Sequence, residues 1–434
     1  MEALAASVGQ GHSQAPAWVR ERRDQAAKQF AQTGFPNTRL EEWRFTNVSP
    51  IADTKFQLAA GTFSNAAPLI AGVSLPGALQ LAIVNGQFAA DLSDLRVLPK
   101  GVRIVGLRDG ARDGADGLEP HLAKTFSIDT HPFAALNTAH LDDGIAVFIA
   151  SGAMVETPIH IVTVTGGDAA GAAPLASHPR VLIVAGANSH VRIAHTFVGT
   201  PGDVYLTNAV VEVVVGDGAN VEYYLDQRES EGAYHIANIQ AHVAAKGVFA
   251  SHAFSIGARI QRHDIGVALK GEGADCTMNG VYLADGERLM DTHTALDHAM
   301  PHCTSHELYK GILAGKARAV FNGRIVVRLD AQKTDAKQTN RALLLSDDAT
   351  INSNPQLEIF ADDVKCTHGA AVGQLDEEAM FYLQARGLTR IEARDLLLHA
   401  FAGEVLDGVK IPELRDQLET AFFRALARDV QLTS

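Results

Sequence analysis

The sequence predicts a mainly β fold: a right-handed parallel β-helix flanked by amino-terminal and carboxy-terminal α-helical regions. Short β-branched runs recur between about residues 130 and 360, among them IHIVTVT, RVLIVAGANSHVRIAHTFVG, AVVEVVVGDGANVEYYL and RAVFNGRIVVRL. Several follow a small or glycine-rich turn: Gly186-Ala-Asn-Ser-His-Val191, Gly218-Ala-Asn-Val221, Gly273-Ala-Asp-Cys276 and Asp348-Ala-Thr-Ile351. Their spacing is irregular but falls near 30 residues, within the range that marks solenoids. No long helical pattern alternates with these runs, which argues against a doubly wound sheet. A β-sandwich would need about twice the strands a typical sandwich holds.

Four regions follow along the chain. Residues 1–54 read as helical. Pro16 precedes WVRERRDQAAKQFAQTG, where Trp18, Val19, Ala26, Ala27 and Phe30 recur at helical spacing until Gly34 and Pro36 stop it. In the loop NTRLEEWRFTNVSPI, Trp43 and Phe45 alternate with polar residues and are expected to anchor it to a core. Residues 55–129 carry mixed signals around LQLAIVNGQFA and VRIVGL. Residues 130–372 form the β-helix core, in which each coil buries one side of its strands against its neighbours. Residues 373–434 are helical again. A short helix opens on Asp376 and closes at Gly387, and Thr389 with Glu392 has capping-box spacing. The last helix begins at Pro412, a favoured first position. Its leucines and phenylalanines make an apolar face that either caps the solenoid end or docks a partner.

Composition excludes several classes. The 434 residues carry 37 basic and 50 acidic side chains, a net charge of −13, which repels nucleic-acid phosphates. No run approaches the roughly 20 apolar residues of a membrane span. Cys276, Cys303 and Cys366 are too few and too scattered for a disulfide framework, and an odd count favours a reducing compartment. The opening stretch MEALAASVGQGHSQ has no signal-peptide pattern, so a cytoplasmic protein is expected. There is no GxxxxGK[ST] loop, CxxC pair or GxSxG elbow, so nucleotide hydrolysis, a one-chain four-cysteine cluster and esterase chemistry lack support.

Two stretches hold possible metal ligands. His298, His302 and His306 are spaced by four, but Pro301 interrupts any helix there. The segment reads as a polar, partly buried turn, with an adventitious zinc or nickel contact as the alternative. Cys366 and His368 stand two residues apart, so on a strand both side chains share one face. A thiolate and an imidazole suit iron or zinc, yet two ligands cannot close a site, and the rest would come from another chain. On spacing alone, a structural cysteine beside a hydrogen-bonded histidine is the competing reading. Glu358, Asp362, Asp363, Asp376, Glu377 and Glu378 read as a solvated acidic rim.

The stretch from Pro355 to Leu388, PQLEIFADDVKCTHGAAVGQLDEEAMFYLQARGL, closely resembles the signature of the SufB/SufD family of iron–sulfur cluster assembly scaffolds. Ser305–Gly311, Ala319–Ile325, Ala331–Ala336 and Asn340–Ser346 match the same family, with weaker echoes at Phe133–Ala139 and Leu40–Thr46. Thr-His-Gly-Ala in place of a glutamate after the histidine, the Trp43 loop and the scarcity of cysteine put the resemblance on the SufD side. It implies a non-enzymatic scaffold that pairs with SufB and binds the ATPase SufC through its carboxy-terminal helices. It also implies that His368, with Cys366 beside it, helps hold a transient iron–sulfur cluster at the SufB junction. Reduced flavin is associated with such complexes, but no dinucleotide fingerprint supports it in this chain. Alone, the open solenoid edge could pair into a homodimer. The alternatives are a secreted β-helix polysaccharide lyase or hydrolase, disfavoured by 6% aromatics, and a homodimeric metal-binding protein using the histidine-rich turn.

Overall fold

A computed structural model describes residues 15–114, 117–168 and 173–432. The stretch MEALAASVGQGHSQ, where no signal peptide is expected, lies outside the described residues. The amino-terminal part holds α1 (Ala17–Thr33), α2 (Ser49–Asp53), β1 (Gln57–Leu58), α3 (Ala66–Ala71), β2 (Leu79–Val84), β3 (Gln87–Phe88), β4 (Val102–Gly106) and α4 (Leu107–Arg112). Then come α5 (Pro132–Ala139), β5 (Ile145–Ile149), β6 (Ile159–Thr165) and β7 (Leu175–Ser177).

The regular part starts with β8 (Arg180–Ala185), β9 (His190–Gly199), β10 (Tyr205–Val215), β11 (Asn220–Gln227), β12 (Tyr234–Val243), β13 (Val248–Ser255) and β14 (Ile260–Leu269). It continues with β15 (Asp275–Ala284), β16 (Leu289–His298), β17 (Thr304–Leu313), β18 (Arg318–Val327), β19 (Asp335–Leu344), β20 (Thr350–Ile359) and β21 (Lys365–Gly373). Helices α6 (Glu377–Ala385), α7 (Arg390–Leu406) and α8 (Pro412–Leu432) end the chain.

Even-numbered strands from β8 to β20 lie parallel in one sheet and odd-numbered strands from β9 to β21 in the other. Each consecutive pair is one coil, giving the expected mainly β solenoid of about seven turns with helices at both ends. In the odd sheet Asn220 lies beside His190, Asp275 beside Val248 and Asp335 beside Thr304, so a coil takes 27–31 residues.

Alternation builds the interior. Val211, Val213 and Val215 of β10 face inward beside Ile239, Ala241 and Val243 of β12, then Ile265, Val267 and Leu269 of β14. From the odd sheet Val191, Val221, Phe249 and Cys276 close against them. Full burial of each such aliphatic side chain contributes about 1.5–3 kcal/mol.

The recurring turn motif has a geometric cause. At one corner of six successive coils stands a left-handed residue: Asn188, Gly218, Lys246, Gly273, His302 and Lys333, with φ between 53° and 70°. Each directs its N–H to a carbonyl of the next coil, for example Gly218 to Ala245 O and His302 to Gln332 O, both at 2.8 Å. Glycine is the cheapest occupant of that conformation, and other residues accept a cost of about 1–2 kcal/mol. Asp348-Ala-Thr-Ile is different: it joins β19 to β20 at the opposite corner.

The flanking segments lie on the outer faces of the sheets. Leu398, Ala402 and Val405 of α7 and Leu414, Leu418 and Phe422 of α8 pack on Tyr224, Phe254, Val281 and Ile312 of the odd sheet. Lys310 Nζ donates to Phe401 O at 2.8 Å, and the Lys410 amide to Tyr224 Oη at 3.1 Å. The apolar face of the last helix therefore covers the side of the solenoid. Asp376 caps α6, and the Thr389–Glu392 capping box is formed as expected.

On the even sheet, Trp43 packs at 5.6 Å from Phe133 with the Arg262 guanidinium 3.7 Å above its ring. Trp43 is 5% exposed and anchors its loop; Phe45 is 43% exposed and does not, against expectation. An ion cluster, buried except for Glu42 at its rim, completes the anchor. Arg262 donates to Asp291 Oδ2 and to Glu42 O at 2.8 and 2.7 Å, and His293 bridges Asp291 and Glu42 at 3.0 and 3.2 Å. Burial works to lower the His293 pKa, but Asp291 and Glu42 more than offset it, raising it to about 9. Its stabilisation is full below pH 6.5 and is lost as pH rises through about 9. In a Trp18→Phe background, Trp43 emission is expected to shift to the red with a midpoint near pH 9. An emission maximum that stays flat to pH 10 contradicts this anchor.

Candidate functional site

The solenoid ends differ. At the amino-terminal end both sheets finish on short antiparallel strands, β3 on β2 and β4 on β5, which is one way to blunt a strand edge. At the other end β20 and β21 are the outermost strands of their sheets. Ile359, Phe360 and Val372 stand exposed there.

β21 carries Cys366 and His368. Cys366 pairs with Ala336 and His368 with Gln338, both neighbours on β19 being buried. Cys366 packs against the interior cluster, and alternation puts His368 on the same inward side, as the two-residue spacing predicts. The thiol is half-buried and the imidazole exposed, because no further coil covers them. Burial pushes the Cys366 thiol up, and the Asp335 carboxylate adds to this, while the Ala336 amide works against it. A thiol shifted in this direction holds its proton more firmly, and any metal bound there would have to displace it.

Beneath this pair run two interior columns. One is Cys276, Ser305, Ala336 and Cys366; the other is Met278, Glu307, Gln338 and His368. Gln338 Nε2 donates to Glu307 Oε2 at 2.7 Å in the buried core. Reading the sequence for short motifs missed Glu307 and Gln338. The available signal was their separation from His368 by whole coil lengths.

The other candidates do not gather. His298 faces inward, with Nε2 2.9 Å from Ser305 Oγ, whereas His302 is the left-handed corner residue and His306 is exposed. The segment is a coil corner. Among the acidic residues, Asp363 pairs with Lys333, Glu377 with Arg390 at 3.1 Å, and Glu358 with Arg324 at 3.7 Å. Among the described residues no group of three or more His, Cys, Asp or Glu side chains could hold a metal ion.

Residues 166–401 match the family description "SUF system FeS cluster assembly, SufBD core domain", and residues 9–161 match "SufBD protein N-terminal region". The chain belongs to the SufBD family. A SufBD family protein of Synechocystis is 32% identical over 407 residues, covering 92% of this chain and 89% of that protein. The iron–sulfur cluster assembly protein SufD of Escherichia coli is 28% identical over 91% of this chain and 90% of its own length. Protein ABCI7, chloroplastic, of Arabidopsis thaliana is 31% identical over 91% and 83%. The SufBD core match spans β7 to β21 and most of α7, so the family's core and the solenoid with its open end are largely the same stretch. Membership also accounts for the resemblance seen between Pro355 and Leu388. No helix among the described residues is long and apolar enough to cross a membrane.

Proposed function

We propose that this SufBD family chain is a SufD-type scaffold, without catalytic activity of its own, that pairs with SufB through its open solenoid end. Cys366 and His368 then supply part of the ligand set for a nascent iron–sulfur cluster, and SufB supplies the rest. The observation that carries this reading is the half-site on β21: one thiol and one imidazole on a common inward face, with no coil beyond them. Two ligands cannot close an iron site, so such a pair has use only where a second chain completes it.

The proposed SufC-binding surface is the outer side of the carboxy-terminal helices. Phe381 and Tyr382 of α6 and Ile391 and Leu396 of α7 are exposed, Phe381 at 74%, while Leu398, Ala402 and Val405 of α7 pack on the solenoid. Free, mostly buried thiols support a cytoplasmic setting. The family match favours a scaffold over a polysaccharide lyase or hydrolase.

The test is co-expression with cognate SufB and SufC and anaerobic purification. His368→Ala is expected to leave the three-protein complex intact and to reduce bound iron and sulfide several-fold. An unchanged cluster yield removes His368 from the site, and a chain that recovers neither partner overturns the scaffold reading.

A further inference from the structure

The Gln338 side chain is a buried amide with one half satisfied. Its Nε2 donates to Glu307 Oε2, yet its Oε1 has no hydrogen-bond partner, although Gln338 is 1% exposed. A buried acceptor left unpaired is costly, and native interiors seldom carry one without a reason. Space has been kept for this amide. Gly323 of β18 lies across the interior from it, and a Cβ there would collide with the Gln338 amide nitrogen and carbon. Glu307 is likewise fully buried, and its Oε2 fixes which way the amide faces.

The next inward side chain in this column is His368, one coil on and paired in register with Gln338. Adjacent parallel strands are about 4.8 Å apart, a separation at which stacked side chains can hydrogen-bond from coil to coil. With the amide nitrogen committed to Glu307, the amide oxygen is the group left to meet the imidazole. In this structure the two are not hydrogen-bonded, and only their strand register brings them together. A histidine that binds metal through one ring nitrogen needs its other N–H held by an acceptor, which sets both tautomer and ring orientation.

We propose that Gln338, held by Glu307, is a positioning residue that accepts a hydrogen bond from one ring N–H of His368 and turns the other nitrogen toward the open end of the solenoid. This rests on the reading of His368 as a cluster ligand and adds to it a support buried two coils deep. Gln338 acts through the histidine and touches no iron itself.

The tautomer of His368 in the isolated full-length chain tests this without any cluster. With 15N-labelled histidine, the His368 signals are assigned by their loss in His368→Ala and read at pH 8. In the unaltered chain one tautomer is expected to exceed the other about tenfold. In Gln338→Met, which keeps the volume but removes the acceptor, the ratio falls to that of a free imidazole. Glu307→Gln keeps the packing but no longer fixes the amide, and it should weaken the preference in the same direction. Cluster yield in the co-expressed complex should fall in Gln338→Met as well. A His368 ratio that is the same in all three proteins overturns the proposal. If His368→Ala leaves cluster yield unchanged while the tautomer responds to Gln338→Met, the relay stands and the ligand reading alone fails.

Discussion

Glu212→Ala is expected to destabilise the protein by about 3–5 kcal/mol, the cost of breaking a buried ion pair by removing one partner. Glu212 and Arg180 are fully buried on the outer face of the even sheet, with Arg180 Nη2 2.6 Å from Glu212 Oε1. The same carboxylate accepts the backbone N–H groups of Ala123, Lys124 and Thr125 at 2.7, 2.9 and 3.2 Å. Arg180 Nη1 also donates to Asn137 and Thr138 at 3.0 and 3.1 Å, tying α5 to the sheet. Burial works to raise the Glu212 pKa, but Arg180 and the backbone donors overcome it and hold the carboxyl below its ordinary value. Alanine would strand a buried guanidinium and three amides together. Denaturant titration at neutral pH measures the loss. The double variant Arg180→Met with Glu212→Leu should cost less than Glu212→Ala alone, because it leaves no unpaired charge. A loss below about 1 kcal/mol would show that the pair does not hold the amino-terminal segment in place.

The second large effect has the opposite sign. Glu307→Gln is expected to stabilise the chain by about 2–3 kcal/mol at pH 8 and to have little effect at pH 4. Burial raises the Glu307 pKa from its usual 4.5 to about 7, against the opposing influence of Thr294 and Gln338. Between these two values the unfolded chain has given up the proton that the folded chain keeps. Stability therefore falls as pH rises through that window, and the full penalty of about 3 kcal/mol applies above it. Glutamine has the same shape and no charge to bury. The difference in unfolding free energy between the two proteins at pH 8 and at pH 4 is the measurement. Equal differences at both would mean that Glu307 meets water in the folded state. A carboxyl kept at such a cost in a solenoid interior fits a part in supporting His368.

The coils were legible because their corners repeat. Gly218 and Gly273 advertise a left-handed residue in the sequence, whereas Lys246, His302 and Lys333 hold the same conformation under side chains that give no hint of it. The His298–His306 segment, read as a polar turn, is such a corner, though its sequence does not single out His302 as the residue that takes the left-handed conformation. The shared face of Cys366 and His368 followed from strand alternation alone. Their support did not, because the links from Glu307 to Gln338 and from Gln338 to His368 each span one coil and need the register. Arg180 and Glu212 carried a signal of another kind, a single charge inside the apolar runs RVLIVA and AVVEVVV. Phe45 misled because alternation in a loop does not say which side meets the protein. The place of α7 and α8 along the solenoid wall depends on the outward residues of several separate strands, beyond the reach of any local pattern.

The unequal ends of the solenoid also govern stoichiometry. A stack of parallel coils with two adhesive faces would add copies head to tail and grow into a fibre. Here β3 and β4 terminate one end, leaving β20 and β21 as the edges through which the proposed pairing would take place. Growth by that route stops after one addition. In the pairing proposed above, with a neighbour capped in the same way, the product would be a closed pair with its junction in the middle, and one cap on each chain would be enough to count to two.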